Sequence, residues 1–280
     1  MFSKKLLILY IILLTVTLII MGALLYIRSK TIVMRDYQEI RTEGVLRIVT
    51  EYDPSGYFVS GNQIEGFHYE LSRAIARLSG LEVLIYLDMS LEKSFEGLQA
   101  NQYDIIARNI PATSELKEDY LFTEPLILSK QVLIQRKKAY NNGIEPVRNQ
   151  LDLTEKTLYI PESSPARLRL QNLQHEIGDT IYIVEEPLYS SEQLIIMVAK
   201  GEIDYAVCDL QIALVLQKQH PEIDIQTDIS FTQLQSWVIR KNAPVLLDSL
   251  NRWIRVIRET GQFDKIYQQY YALQVMSYEL

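Results

Sequence analysis

Arg108 and Asn109 end an apolar run, Ile105-Ile106-Ala107, and Pro111 follows two residues later. An arginine at the end of an apolar strand must find a partner or water, so Arg108 either meets a ligand anion or closes a structural ion pair. A strand that ends in polar groups and a Pro-marked loop is where open α/β sheets bind ligands. Ser163 and Ser164 precede a helical run, Ala166 to Leu173. Small hydroxyls there cap a helix, and the free N–H groups and helix dipole also attract anions. Arg167 lies one turn in and either faces a cleft or occupies an exposed helix face. Asp209 ends the apolar strand Tyr205–Cys208 and stands where the helix from Gln211 needs an N-cap. Cys208, in that strand, reads as an inert core thiol. His68, His175 and His220 have no metal spacing and read as surface residues. The chain has no G-x-S-x-G, no H-E-x-x-H and no phosphate-cradling glycine loop. No catalytic set, metal site or cofactor is expected.

These residues need elements to hold them. The 280 residues, 48% hydrophobic and 22% charged, suffice for one large globular domain or two medium ones. One cysteine excludes an internal disulfide. The net charge is −7, and the first 30 residues carry four basic and no acidic side chains, so the remainder is more acidic still. Nucleic acid and anionic lipid need a basic footprint, and neither is an expected partner of that part.

Leu6 to Ile27 is an uncharged apolar run of 22 residues. At about 1.5 Å per residue it spans about 33 Å, enough for a bilayer core. A cleaved signal peptide would have a shorter core and a small-residue cleavage site, and no cysteine is placed for a lipoprotein anchor. The expectation is an uncleaved, single-pass signal anchor in the cytoplasmic membrane, with the rest extracytoplasmic or periplasmic.

Val45–Thr50 is a β-branched first strand, and Glu51–Gly61 has the Pro, Gly and aromatic content of a loop. Phe67, Leu71, Ile75 and Leu78 recur at helical spacing before Gly80. Strand Glu82–Tyr86, a short helix through Leu91, Phe95 and Leu98, and strand Tyr103–Ala107 complete a β-α-β-α-β order, which implies parallel strands. The same alternation returns after Thr157 through Gln219, so two α/β lobes are inferred. Trp237–Ile239 and two helices, from Leu246 and from Phe263, close the chain.

The order LRIVT, EGFHYELSRAIA, YDIIARNIPAT, LFTEPL, AKGEIDYAVCD, GQFDKIYQQYY, from Val45 to Tyr271, resembles the family 3 extracellular solute-binding proteins. QLIIMVAKGEIDYAVCD, the HPEI after it and Ser163-Ser164 resemble more closely the binding domain of the membrane-bound lytic murein transglycosylase F family. The resemblance implies a two-lobed periplasmic-binding-protein-like α/β fold (type II), each lobe a mostly parallel sheet flanked by helices, preceded by one transmembrane helix. The expected organisation is an anchor or signal segment at 1–28, a stalk at 29–43, lobe one at 44–130, lobe two at 131–230, and a return to lobe one at 231–275. In the transglycosylase family a catalytic domain follows and supplies a glutamate. Only ALQVMSYEL follows Tyr271 here, so the expectation is a binding module without peptidoglycan cleavage.

The resemblance also implies roles. Asp209 matches the family's aspartate for a ligand ammonium group. Thr113 matches its loop threonine, which usually opens a T-x-x-R whose arginine clamps an α-carboxylate; Leu116 stands in that arginine's place. Arg108 can compensate, and Ser163 and Ser164 match its anion site. Tyr52 and Phe67 match cleft-facing aromatics; for Phe67 the core reading wins, because it begins the apolar stripe of its helix, and Tyr52 is the better cleft candidate. The implied function is closure on a small polar ligand, amino-acid-like, peptide or cell-wall fragment, for transport or sensing. A transporter or a cell-wall enzyme would be its partner. The competing readings are a transglycosylase-related protein and a scaffold that binds no ligand.

Overall fold

The computed structural model describes residues 10, 12–22 and 35–271. The chain divides into two units, Met1–Arg35 and Asp36–Leu280. In the first, residues 12–22 are helical, with Leu13, Ile19 and Met21 exposed. Among the described residues no helix is long and apolar enough to cross a membrane. Both ends of the Leu6–Ile27 run lie outside the described residues.

The second unit opens with α1 (Tyr37–Glu43), where only a stalk was expected. The sequence carries the signal for it. Asp36 and Glu39 form a capping box, and Gly44 closes the helix in the left-handed region. Asp36 Oδ1 also accepts from Leu246 N at 2.7 Å and Ile40 is fully buried, so α1 is fixed to the body.

Two sheets follow. Sheet one contains β1 (Val45–Thr50), β4 (Glu82–Leu87), β5 (Ile105–Pro111), β6 (Tyr120–Phe122), β7 (Ile127–Ser129) and β13 (Gln233–Arg240). Its order is β4-β1-β5-β13-β6, with β7 also on β13. Sheet two contains β8 (Gln131–Arg136), β9 (Thr157–Pro161), β10 (Tyr182–Glu186), β11 (Ala206–Asp209) and β12 (Ile223–Asp228), in the order β10-β9-β11-β8-β12. Both sheets are mixed. β1, β4 and β5 are parallel, as are β9, β10 and β11, while β13 and β8 each run against their neighbours. These two reversed strands are the first ones entered after each passage between sheets, at 129–131 and at 228–233. The passages are tied together: Gln131 N donates to Ser230 Oγ at 2.9 Å, and Ile229 N to Gln131 O at 2.8 Å.

Helices cover both faces of each sheet, which is why inner strands such as β5 and β8 are continuous buried runs rather than alternating ones. Ile105 and Ala107 face a core built with α2 (Phe67–Ser79), α8 (Pro244–Glu259) and α9 (Gln262–Tyr270). Ile106 points the other way, with Val49, Val238 and Leu98 of α3 (Leu91–Gln99). Sheet two has one core against α6 (Ser191–Lys200) and α7 (Leu210–Gln219) and another against α5 (Ala166–Ile177). The expected loop 51–61 is partly a hairpin, β2 (Phe58–Ser60) with β3 (Gln63–Glu65). Thr113 caps the short helix α4 (Ser114–Asp119).

Candidate functional site

β1 and β5 are parallel neighbours, so their carboxyl ends reach the same edge of sheet one. Thr50 Oγ1 donates to Ala107 O at 2.7 Å there, and the residues that follow these two, Glu51 just past β1 and Arg108 within β5, meet as side chains. Arg108 is buried. Its Nε donates to Glu51 Oε1 at 3.0 Å and its Nη2 to Glu51 Oε2, a two-pronged grip. Its Nη1 is buried with no hydrogen-bond partner. Of the two readings open for Arg108, the ion pair is the one present.

Beyond Glu51 the chain folds around Asp53. Asp53 Oδ1 accepts from Ser55 N at 2.8 Å, Ser55 Oγ at 2.6 Å and Gly56 N at 2.8 Å. This is the side-chain turn that an Asp-Pro-Ser-Gly order favours. The turn packs under the start of α2, where Gly66 has φ +128° and a Cβ would lie 2.3 Å from Gly56 O. Gly66→Ala is therefore expected to destabilise the protein by about 2–3 kcal/mol or more, measurable by thermal unfolding. An unchanged midpoint would show that the turn can move aside.

His68 overturns its surface reading. It is 3% exposed, its Nδ1 accepts from Trp237 Nε1 at 3.0 Å, and it lines the cleft. Burial, then the charge of Arg108, pushes it down to about 3, against a hydrogen bond with Asn109, so the imidazole is neutral at physiological pH.

Sheet two presents its strand ends from the opposite side. Asp209 ends β11 and caps α7, accepting from Gln211 N at 2.9 Å. Burial pushes its carboxyl up to about 6. Burial also raises Glu51 and Asp53, with the Arg108 charge opposing it at both. After β9, Ser163 adopts φ +59°, and its Oγ donates across to Glu92 Oε2 on α3 at 3.4 Å. Ser164 Oγ accepts from Ala166 N at 3.2 Å. The space between the two sets of strand ends is a cavity of about 1000 Å³.

Tyr52, Arg108, Ser163, Ser164 and Asp209 line this cavity together. The other three candidates lie elsewhere. Phe67 is fully buried in the lobe-one core against Phe263 and Tyr271, because it begins the apolar stripe of α2. Thr113 is used as a helix cap and lines a separate cavity of about 460 Å³. Arg167 lies on an outer helix face, paired with Glu185 at 3.0 Å. Glu51, Asp53 and His68 were not anticipated. The Asp-Pro-Ser-Gly turn was a usable signal for Asp53; nothing local marks the other two. Among the described residues no group of three or more His, Cys, Asp or Glu is placed to hold a metal ion.

Residues 46–273 match the profile of the bacterial extracellular solute-binding proteins, family 3. Over 239 residues the chain is 29% identical to a membrane-bound lytic murein transglycosylase F of Desulfosudis oleivorans, covering 85% of this chain and 51% of that one. A relative of the same name from Cronobacter sakazakii is 26% identical, over 82% of this chain and 44% of its own. The chain thus spans about half the length of these curated relatives. Among solved structures, a mutant of ArgBP from T. maritima has a TM-score of 0.73 at 23% identity, covering 84% of this chain and 98% of that one. An ancestral arginine-binding protein bound to glutamine has a TM-score of 0.71 at 23% identity, covering 81% and 98%. These likenesses establish the two-lobed fold.

Proposed function

Because the chain belongs to family 3 of the bacterial extracellular solute-binding proteins, we propose that its two lobes close on a small polar solute carrying an ammonium group, held at Asp209. The observation that carries this reading is the cavity itself. It lies beyond the carboxyl ends of strands from both sheets, with the half-buried Asp209 carboxylate on one side and the Arg108–Glu51 pair on the other. Closure is then a two-state motion biased by whatever binds the closed form better. The solved neighbours bound to arginine or glutamine support an amino-acid-like ligand. The names of the curated relatives favour a second reading, a cell-wall fragment as ligand and a cell-wall enzyme as partner. The exposed apolar side chains of the helical stretch 12–22, within the Leu6–Ile27 run, support a membrane tether and hence an extracytoplasmic sensor or a feeder of a transporter.

Thermal unfolding of the full chain in non-ionic detergent, against amino acids, short peptides and soluble muropeptides, tests the reading. A ligand at about one hundred times its Kd adds roughly 2.7 kcal/mol, which for a domain of this size raises Tm by about 5–10 °C. A shift with muropeptides alone would select the cell-wall reading. No shift with any of them would overturn solute binding and leave a scaffold.

A further inference from the structure

The chemistry of the cavity wall narrows the ligand beyond a polar solute. Lobe one contributes five carboxylates, Glu51, Asp53, Asp88, Glu92 and Glu96, and lobe two contributes four, Glu162, Glu186, Glu192 and Asp209. The cations in the wall are Lys93 and Arg108, both on lobe one. Closure therefore presses two acidic surfaces together, which a ligand cation between them relieves. The carboxylates are too dispersed to ligate one metal ion, as the absence of a three-ligand group among the described residues shows. The wall suits an organic cation of some length.

Arg108 is the wall's guanidinium, the two-pronged donor that best fits a free amino acid's carboxylate. Glu51 already occupies its Nε–Nη2 edge with two hydrogen bonds. A ligand carboxylate would have to displace Glu51 and then sit among Glu51, Asp53 and Asp209, three acids whose charged forms burial already disfavours. What remains unpaired is Nη1, enclosed in the wall without a hydrogen-bond partner, so a ligand reaches it as the wall shifts on binding. A neutral carbonyl can accept from one spare donor without adding negative charge.

We propose that the cleft takes a cationic amine whose acyl end is neutral, an amino-acid amide or the N-terminal end of a peptide, in preference to a free amino acid. The inference rests on the solute-binding reading above. The ammonium lies by Asp209 and the amide carbonyl accepts from Arg108 Nη1.

The test is calorimetric titration of the full chain in non-ionic detergent at pH 8 with matched pairs: arginine and argininamide, lysine and lysinamide, glutamine and glutaminamide. Arginyl-glycine and arginyl-glycinamide separate the peptide source from the amide source. The amide of the pair that binds is expected to be at least tenfold tighter than its acid, with affinity falling as salt rises from 50 to 500 mM. Glu51→Gln frees the guanidinium and is expected to shrink that ratio at least tenfold by strengthening the acid, an effect that a merely structural Glu51 would not produce. An acid that binds as tightly as its amide would overturn the proposal and leave solute binding standing. Failure of every pair to bind would overturn the proposal alone, because solute binding falls only if the muropeptides of the unfolding panel also give no shift.

Discussion

Asp209→Asn is expected to make the protein more stable at pH 8 and to weaken its hold on the ligand. The carboxyl is pushed from its ordinary 3.8 to about 6 chiefly by burial. Below pH 3.8 it is protonated folded and unfolded, and nothing is gained or lost. Between 3.8 and 6 the unfolded chain releases the proton and the folded protein keeps it, so stability falls as pH rises. Above 6 the folded protein carries the full burden of a buried charge. Two pKa units correspond to about 3 kcal/mol, and the partial exposure of Asp209 trims this to about 2. Asparagine removes that burden and still caps α7 by accepting from Gln211 N. Its Tm should therefore exceed the parent's by about 4–8 °C at pH 8, with the gain gone by pH 3.5. Ligand affinity should fall roughly tenfold to a hundredfold, the worth of a hydrogen bond between charged partners. Unfolding curves at several pH values and one titration measure both. A variant less stable than the parent at pH 8 would show that the charge at the cap outweighs its burial.

The second large effect lies far from the ligand. Arg240, on β13, pairs with Asp104 at 3.2 Å, and both side chains are buried. Asp104 Oδ2 also accepts from Arg47 N of β1 at 2.9 Å, and Arg240 Nη1 donates to Tyr103 O and to Leu98 O at 3.4 Å. The pair thus joins β13, β1 and the end of α3. Arg240→Met removes the cation beside a buried carboxylate and should destabilise the protein by about 3–5 kcal/mol, lowering Tm by roughly 10 °C. Adding Asp104→Leu should recover most of that loss, because two apolar groups replace two buried charges. The double-mutant cycle measures the coupling, and additive effects would sink this account.

The elements were legible where pattern and packing agree. Ile105-Ile106-Ala107 announces a strand covered on both faces, and it is one. The helix at Tyr37–Glu43 was also written, in Asp36 and Glu39, but the polar stretch around it read as a stalk. The site was only half legible. Asp209 and the two serines mark themselves as strand or helix ends. Glu51 meets Arg108 across 57 positions, and His68 is buried by Trp237 across 169. No local pattern records such pairings, because adjacent strands in a parallel sheet are distant in sequence. Phe67 took the core place that its helical stripe favoured, and Thr113 left the site for a related reason. A stripe residue and a cap are satisfied by their own helices, and that local role decided where they point.

The position of β13 governs the order in which the protein can be made. It lies between β5 and β6 in the middle of sheet one, yet begins only at Gln233. All of sheet two, Gln131 to Asp228, leaves the ribosome before it. Lobe two is one continuous stretch and can fold as it emerges, while the nascent lobe one waits with the flank of β5 bare. Pairings so distant in sequence form slowly, and an uncovered strand edge invites association with other chains. The protein is thus most exposed to aggregation while its second lobe is already complete.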